Sequence, residues 1–171
     1  MQLLKDERGF ISAWLLAFAG VLWLVMFAVM LTLGYGVYTK GQATYQWLDA
    51  SMVYATQDTI TQDASGQFKA HENAARRMFI ESFESMTNTT FSGTRFQPNA
   101  GSIYPGPIEL TNFRAVAKGE RLPSGARSDD LGFLVQLNVT LWAGRVPFWG
   151  VVDIVQVPMT VFSVRQGYDR I

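Results

Sequence analysis

The chain contains no cysteine. Disulfide frameworks, thiolate metal sites and cysteine nucleophiles are therefore excluded. It contains one histidine, His71. A histidine-based zinc site or a Ser-His-Asp triad would have to be built around that single residue. Neither sign of charge is in excess: 14 Lys+Arg face 14 Asp+Glu, for a formal net charge of +0. A global pull towards nucleic acid or anionic lipid is not expected from this balance. The 171 residues leave room for one membrane segment and one modest folded region. The apolar content is 49%, and much of it lies ahead of Lys40.

From Phe10 to Thr39 no side chain carries a charge. About 20 apolar residues cross about 30 Å of hydrocarbon, and Ile11 to Leu33 meets that length. Trp14 stands near one end and Tyr35 and Tyr38 near the other, as interfacial aromatics do. A chain of this size has no core able to surround a helix that is apolar on every side. The expectation is a transmembrane helix over 10–39, in contact with membrane lipid. Lys5 and Arg8 precede it, Lys40 follows it, and the next basic residue is Lys69. This bias predicts a cytoplasmic leader over 1–9 and an exported C-terminal part. Ala17-Phe18-Ala19 resembles a signal-peptidase site. Cleavage there would leave the apolar run from Val21 to Leu33 at the new N-terminus, so retention is the expectation.

The order Glu7-Arg8-Gly9, then Phe10, then a long apolar helix, resembles the class III leader of type IV pilins and pseudopilins. In that family a prepilin peptidase cuts after the glycine, which here is the Gly9–Phe10 junction. The apolar helix then serves as both anchor and assembly helix, so the resemblance implies subunit packing through Phe10, Trp14, Gly20 and Trp23. The family usually carries Glu at the fifth mature position, and related tight-adherence pilins also place an acid early in the helix. Counted from Phe10 that position is Trp14. The resemblance therefore implies a minor or tip subunit, not the repeating shaft, or a pilin-like protein that keeps its leader.

Beyond the membrane, 40–88 reads as helical and 89–171 as an antiparallel β region. Tyr45, Leu48, Met52, Ala55 and Thr59 recur at helical spacing, which extends the first helix towards Asp63. Gly34, Gly36 and Gly41 offer a hinge. Asp63-Ala64-Ser65-Gly66 signals a turn, and Gln67 to Met86 reads as a second amphipathic helix. Its apolar stripe is Phe68, Ala75, Met78, Phe79, Phe83 and Met86, with Glu72 spaced for an ion pair with Arg76. The two helices are expected to pack as an antiparallel hairpin.

Three strands follow, with a fourth short one near Thr94–Gln97. They are Ile108–Ala117, Gly132–Trp142 and Val151–Val164. The middle one alternates Phe133, Val135, Leu137, Val139 and Leu141 with Gln136, Asn138 and Thr140, the signature of a half-buried strand. In the last, the phase slips near Ile154-Val155, which predicts a bulge, and Pro158 predicts an edge position. Short connections favour an antiparallel meander. The fold class is α+β, a long N-terminal helix and a second helix covering a small antiparallel sheet of three to four strands. This order is also similar to the TadE-like pseudopilins of tight-adherence pilus systems, a family that lends no catalytic residues.

Candidate sites for chemistry are few. His71 has no second His or Cys to share a metal, and Asp129-Asp130 does not fill a calcium shell. Phosphate loops and nucleophile elbows are absent from the sequence. Asn88-Thr89-Thr90 and Asn138-Val139-Thr140 match the glycosylation sequon. No cofactor, metal or catalytic residue is expected. The segment Ala143–Gly150 joins two strands and sets Phe148 and Trp149 beside Arg145. Trp and Arg concentrate at interface hot spots, so these three are candidate partner contacts.

The sequence therefore predicts a minor pilin or TadE-like pseudopilin of a pilus or related secretion system. Its partners would be lipid, other pilin subunits and the prepilin peptidase, with no nucleic acid. The alternative is an unprocessed single-pass anchor carrying an exported binding module.

Overall fold

The computed structural model describes residues 7–144 and 154–164. Two compact units divide the chain between Thr39 and Lys40. The first is the N-terminal part of one helix, α1 (Glu7–Thr59). This helix passes through Gly34, Gly36 and Gly41 without a break, so the three glycines interrupt no hydrogen-bonded turn. From Ile11 to Thr39 no residue of the unit is buried. It is long and apolar enough to cross a membrane.

The second unit opens with the rest of α1. Here the predicted stripe is buried: Leu48, Met52 and Ala55 are fully covered and Thr59 nearly so. Tyr45 is the exception, 51% exposed. The helix stops at Thr59, earlier than the periodicity predicts. Thr56 and Thr59 bond back to Met52 O and Ala55 O at 2.6 Å, and the β-branched run Thr59-Ile60-Thr61 then favours an extended chain. Strand β1 (Ile60–Gln62) pairs with β2 (Phe68–Ala70) as a small hairpin. Asp63 organises its turn, accepting from the backbone N–H of Ser65 (2.9 Å) and Gln67 (3.0 Å).

The second helix, α2, therefore spans Glu72–Thr87 and not Gln67–Met86. Phe68 lies on β2, outside the helical stripe. Asn88 closes α2 in the left-handed conformation, with φ 51°. Ser51 Oγ donates to Met86 Sδ at 3.6 Å, while the N–H of His71 meets Thr59 O at 3.0 Å. Positions rise along α1 as they fall along α2, so the two helices run antiparallel, as expected. The predicted Glu72–Arg76 pair does not form. Glu72 instead accepts the backbone N–H of Ala115 at 2.9 Å, and the guanidinium of Arg76 lies 5.8 Å from the Phe91 ring centroid.

The sheet has five strands, one more than the largest number expected. They are β3 (Thr89–Ser92), β4 (Arg95–Pro98), β5 (Ile108–Val116), β6 (Gly132–Ala143) and β7 (Ile154–Val164). Their order in space is their order in sequence, an antiparallel meander. Cross-strand rows build its inner face: Phe113–Val135–Val161, Leu110–Leu137–Met159 and Ile108–Val139–Val157. The outer face carries the polar row Asn112–Gln136–Thr160, with Asn112 Nδ2 donating to Gln136 Oε1 at 3.1 Å.

Pro158 does lie on an edge strand. The predicted phase slip near Ile154–Val155 is also present, but the extra residue is Leu141 of β6, opposite the Val155–Gln156 step. Gly132 is required where it stands. A Cβ there would meet Ser163 O and would lie 2.9 Å from the Phe162 ring.

Helices cover the inner face. Phe79 and Phe83 of α2 stack at 5.5 Å, and Phe96 meets them at 6.3 and 4.9 Å. Phe113 continues the cluster 5.6 Å from Phe79 and 5.8 Å from Phe133. Edge and tilted ring contacts of this kind add to simple area burial.

Candidate functional site

The candidate site is the apolar surface of α1 in the first unit. Trp14 is 63% and Trp23 is 72% exposed. Trp14 stacks on Phe18, one turn along, with centroids 6.1 Å apart and planes 4° apart. A Cβ at Gly20 would meet nothing within 4 Å. The helix brings only some of the predicted packing residues together. At about 3.6 residues per turn, Trp14 and Trp23 fall half a turn apart and leave the helix on opposite sides, whereas Gly20 and Trp23 are neighbours. A helix using all of them would be contacted from two sides. Gly9 and Phe10 fall in the first turns of α1.

Two threonines of this segment suit a medium without water. Thr32 Oγ1 donates to Ala28 O at 2.8 Å, and Thr39 Oγ1 to Tyr35 O at 3.0 Å. Each hydroxyl is satisfied inside its own helix, which is the requirement for backbone and side chains in hydrocarbon. Arg145, Phe148 and Trp149 lie outside the described residues. In β6 the buried Nε1 of Trp142 finds no hydrogen-bond partner among the described residues.

The residues considered for metals have structural settings. His71 precedes α2, and its Nε2 lies 3.1 Å from Thr61 Oγ1. Asp130 Oδ1 accepts the N–H of Leu131 at 2.8 Å. Among the described residues no three His, Cys, Asp or Glu side chains gather closely enough to hold a metal ion.

One contact could not be found by local pattern. Thr44 of α1 and Tyr104, in the loop before β5, are joined at 2.7 Å, 60 residues apart. Trp47 adds an edge-on ring contact to Tyr104 at 6.3 Å. Burial pushes the Tyr104 phenol up to about 12. This cluster fastens the helical extension to the sheet. Comparison with protein-family models, curated proteins and solved structures finds no match for this chain.

Proposed function

We propose that the chain is a structural assembly subunit of the pilin-like type, a minor pilin or TadE-like pseudopilin. Its helix would be held in the cytoplasmic membrane, N-terminus inside, until extraction into a pilus or related secretion assembly. The observation that carries this reading is one unbroken helix with two surfaces. From Phe10 to Thr39 it carries no charge, and from Ile11 to Thr39 no residue is buried, whereas beyond Lys40 the stripe of Leu48, Met52 and Ala55 is fully buried. A simple tether needs no helical continuity, whereas a subunit drawn from a bilayer into a fibre must pass force from anchor to domain.

The Arg8-Gly9-Phe10 order at the start of that helix supports leader removal by a prepilin peptidase. Gly9 weakens its turn by up to about 1 kcal/mol relative to Ala, which eases local unwinding for cleavage. Neighbouring subunits would pack against Trp14, Gly20 and Trp23 by shape and not by charge. Trp14 at the usual acidic position favours a minor or tip role.

The test is the intact mass of the protein purified from membranes of its own host. A chain beginning at Phe10 supports the reading. A chain beginning at Met1, in a host with active prepilin peptidase, favours the second reading, an unprocessed single-pass anchor with an exported binding module. A bulky residue at Gly9 separates the two again, because it should abolish processing and assembly under the first reading only.

A further inference from the structure

The connection between β5 and β6 contains a two-stranded ribbon. Leu122 N donates to Ala126 O at 2.8 Å and Ser128 N donates to Glu120 O at 2.8 Å. These bonds bracket Arg121 and Arg127, which are antiparallel partners. A pair bracketed in this way exchanges no hydrogen bonds of its own. Its Cα atoms stand about 4.5 Å apart, and both side chains leave the same face. Like charges set directly opposite destabilise a ribbon.

Two arginines elsewhere among the described residues are matched differently. Arg95 is the register partner of Glu109 and ion-pairs with it at 3.4 Å, and Arg114 is paired with Glu120. Arg121 and Arg127 are both exposed, and among the described residues neither has a carboxylate within 4.0 Å. The nearby acids do not neutralise them. Glu120 is taken by Arg114 and the Ala117 N–H, Asp130 accepts from Leu131, and Asp129 forms no ion pair among the described residues. The Arg114–Glu120 contact and a Ser128–Asp130 bond hold the base of the ribbon.

We infer that the Arg121–Arg127 pair is a docking point for an oxyanion of the phosphate class. One guanidinium fork satisfies one carboxylate, whereas a phosphate presents enough oxygens for two forks at once. A dianion also cancels the repulsion that the ribbon carries while empty. Free phosphate and a phospholipid headgroup share this chemistry. The inference does not depend on the pilin-like reading.

The test uses the full chain in neutral detergent at constant ionic strength, following the arginine Nε–Hε resonances. Inorganic phosphate is titrated in one arm and a short-chain phosphatidic acid, below its micellar concentration, in the other. The expected result is a saturable shift of Arg121 and Arg127. Binding should weaken about tenfold in Arg121→Gln and in Arg127→Gln and stay unchanged in Arg95→Gln. Tighter binding in the second arm assigns a lipid headgroup, and equal or tighter binding in the first assigns the free anion. No saturation in either arm, or an unchanged affinity in the Arg121→Gln/Arg127→Gln double variant, overturns the inference.

Discussion

The hydroxyl of Thr44 lies 2.7 Å from the phenol oxygen of Tyr104. Thr44 also donates to Lys40 O at 2.7 Å. A threonine has one hydroxyl proton, so the back-bond leaves Thr44 as acceptor and Tyr104 as donor. The pair is a polar fastener in an otherwise apolar contact between helix and sheet. Tyr104→Phe should lower stability by about 1 kcal/mol, the usual loss for one buried neutral hydrogen bond. Chemical denaturation of the full chain in detergent measures it.

The same residue gives a pH signature. The folded phenol, at about 12, lies above its ordinary value of 10.0. The folded state therefore favours the protonated form. Its contribution is complete below about pH 10 and is lost as pH rises to about 12, on the order of 2 to 3 kcal/mol in all. Alkaline unfolding followed in parallel for wild type and Tyr104→Phe isolates this group. The variant should show the shallower slope across that window, and equal slopes would contradict the burial argument.

Phe79 is fully buried and touches Phe83, Phe96 and Phe113. Phe79→Ala should cost about 3 to 5 kcal/mol, as transfer loss and cavity add. Phe91, half-buried at the β3 edge, should tolerate the same change with a smaller loss. Comparing the two midpoints tests whether α2 is held by this cluster.

The Arg114 guanidinium, then the Ala117 N–H, hold the Glu120 carboxyl below its ordinary value of 4.5. A depressed carboxylate stabilises the fold above its unfolded pKa and loses that contribution as pH falls through the folded one. Arg114→Gln should move the Glu120 titration upward, towards the ordinary carboxylate range. A carboxyl-carbon NMR titration reads the shift, and no movement would show that the Arg114 contact is absent in solution.

The uncovered part of α1 should behave as a membrane anchor. Wild type should remain in the membrane fraction after alkaline carbonate extraction. Val21→Asp with Val25→Asp places two charges one turn apart in the apolar run, at a combined cost of about 5 to 7 kcal/mol. A large soluble fraction is expected for that double variant alone.

Periodicity made the apolar run, the buried stripe of Leu48, Met52 and Ala55, and the alternation of β6 legible. Each is a repeat within one element, and burial follows the repeat directly. Pro158 likewise announced an edge because its chemistry forbids a ladder bond. Phe68–Ala70 was not legible: Gln67-Phe68-Lys69-Ala70 suits a helix as well as a strand, and only pairing with Ile60–Gln62 decides. The short strand β3 depends in the same way on its partner Arg95–Pro98. At the candidate site the composition of α1 was readable, and so was the spacing of its large residues. The Thr44–Tyr104 fastener and the Arg121–Arg127 opposition were not, since both arise from residues that the fold alone makes neighbours. The turn residues Pro123 and Gly125 between the two arginines were the only local sign of the latter.

The sheet's sequential strand order also sets a timetable for synthesis. Each new strand can pair with the one just made, so loop closure is cheap at every step. The helical extension of α1 meets α2 early, through Ser51 and Met86, but its contacts with the later strands come last. Thr44 and Trp47 leave the ribosome long before Tyr104, and Gly41 waits for Leu141, against which it finally rests. Throughout that interval a nascent chain carries a helical face that is only partly covered. Such a chain is an aggregation hazard, and its production should respond more to holdase chaperones than its finished stability would suggest.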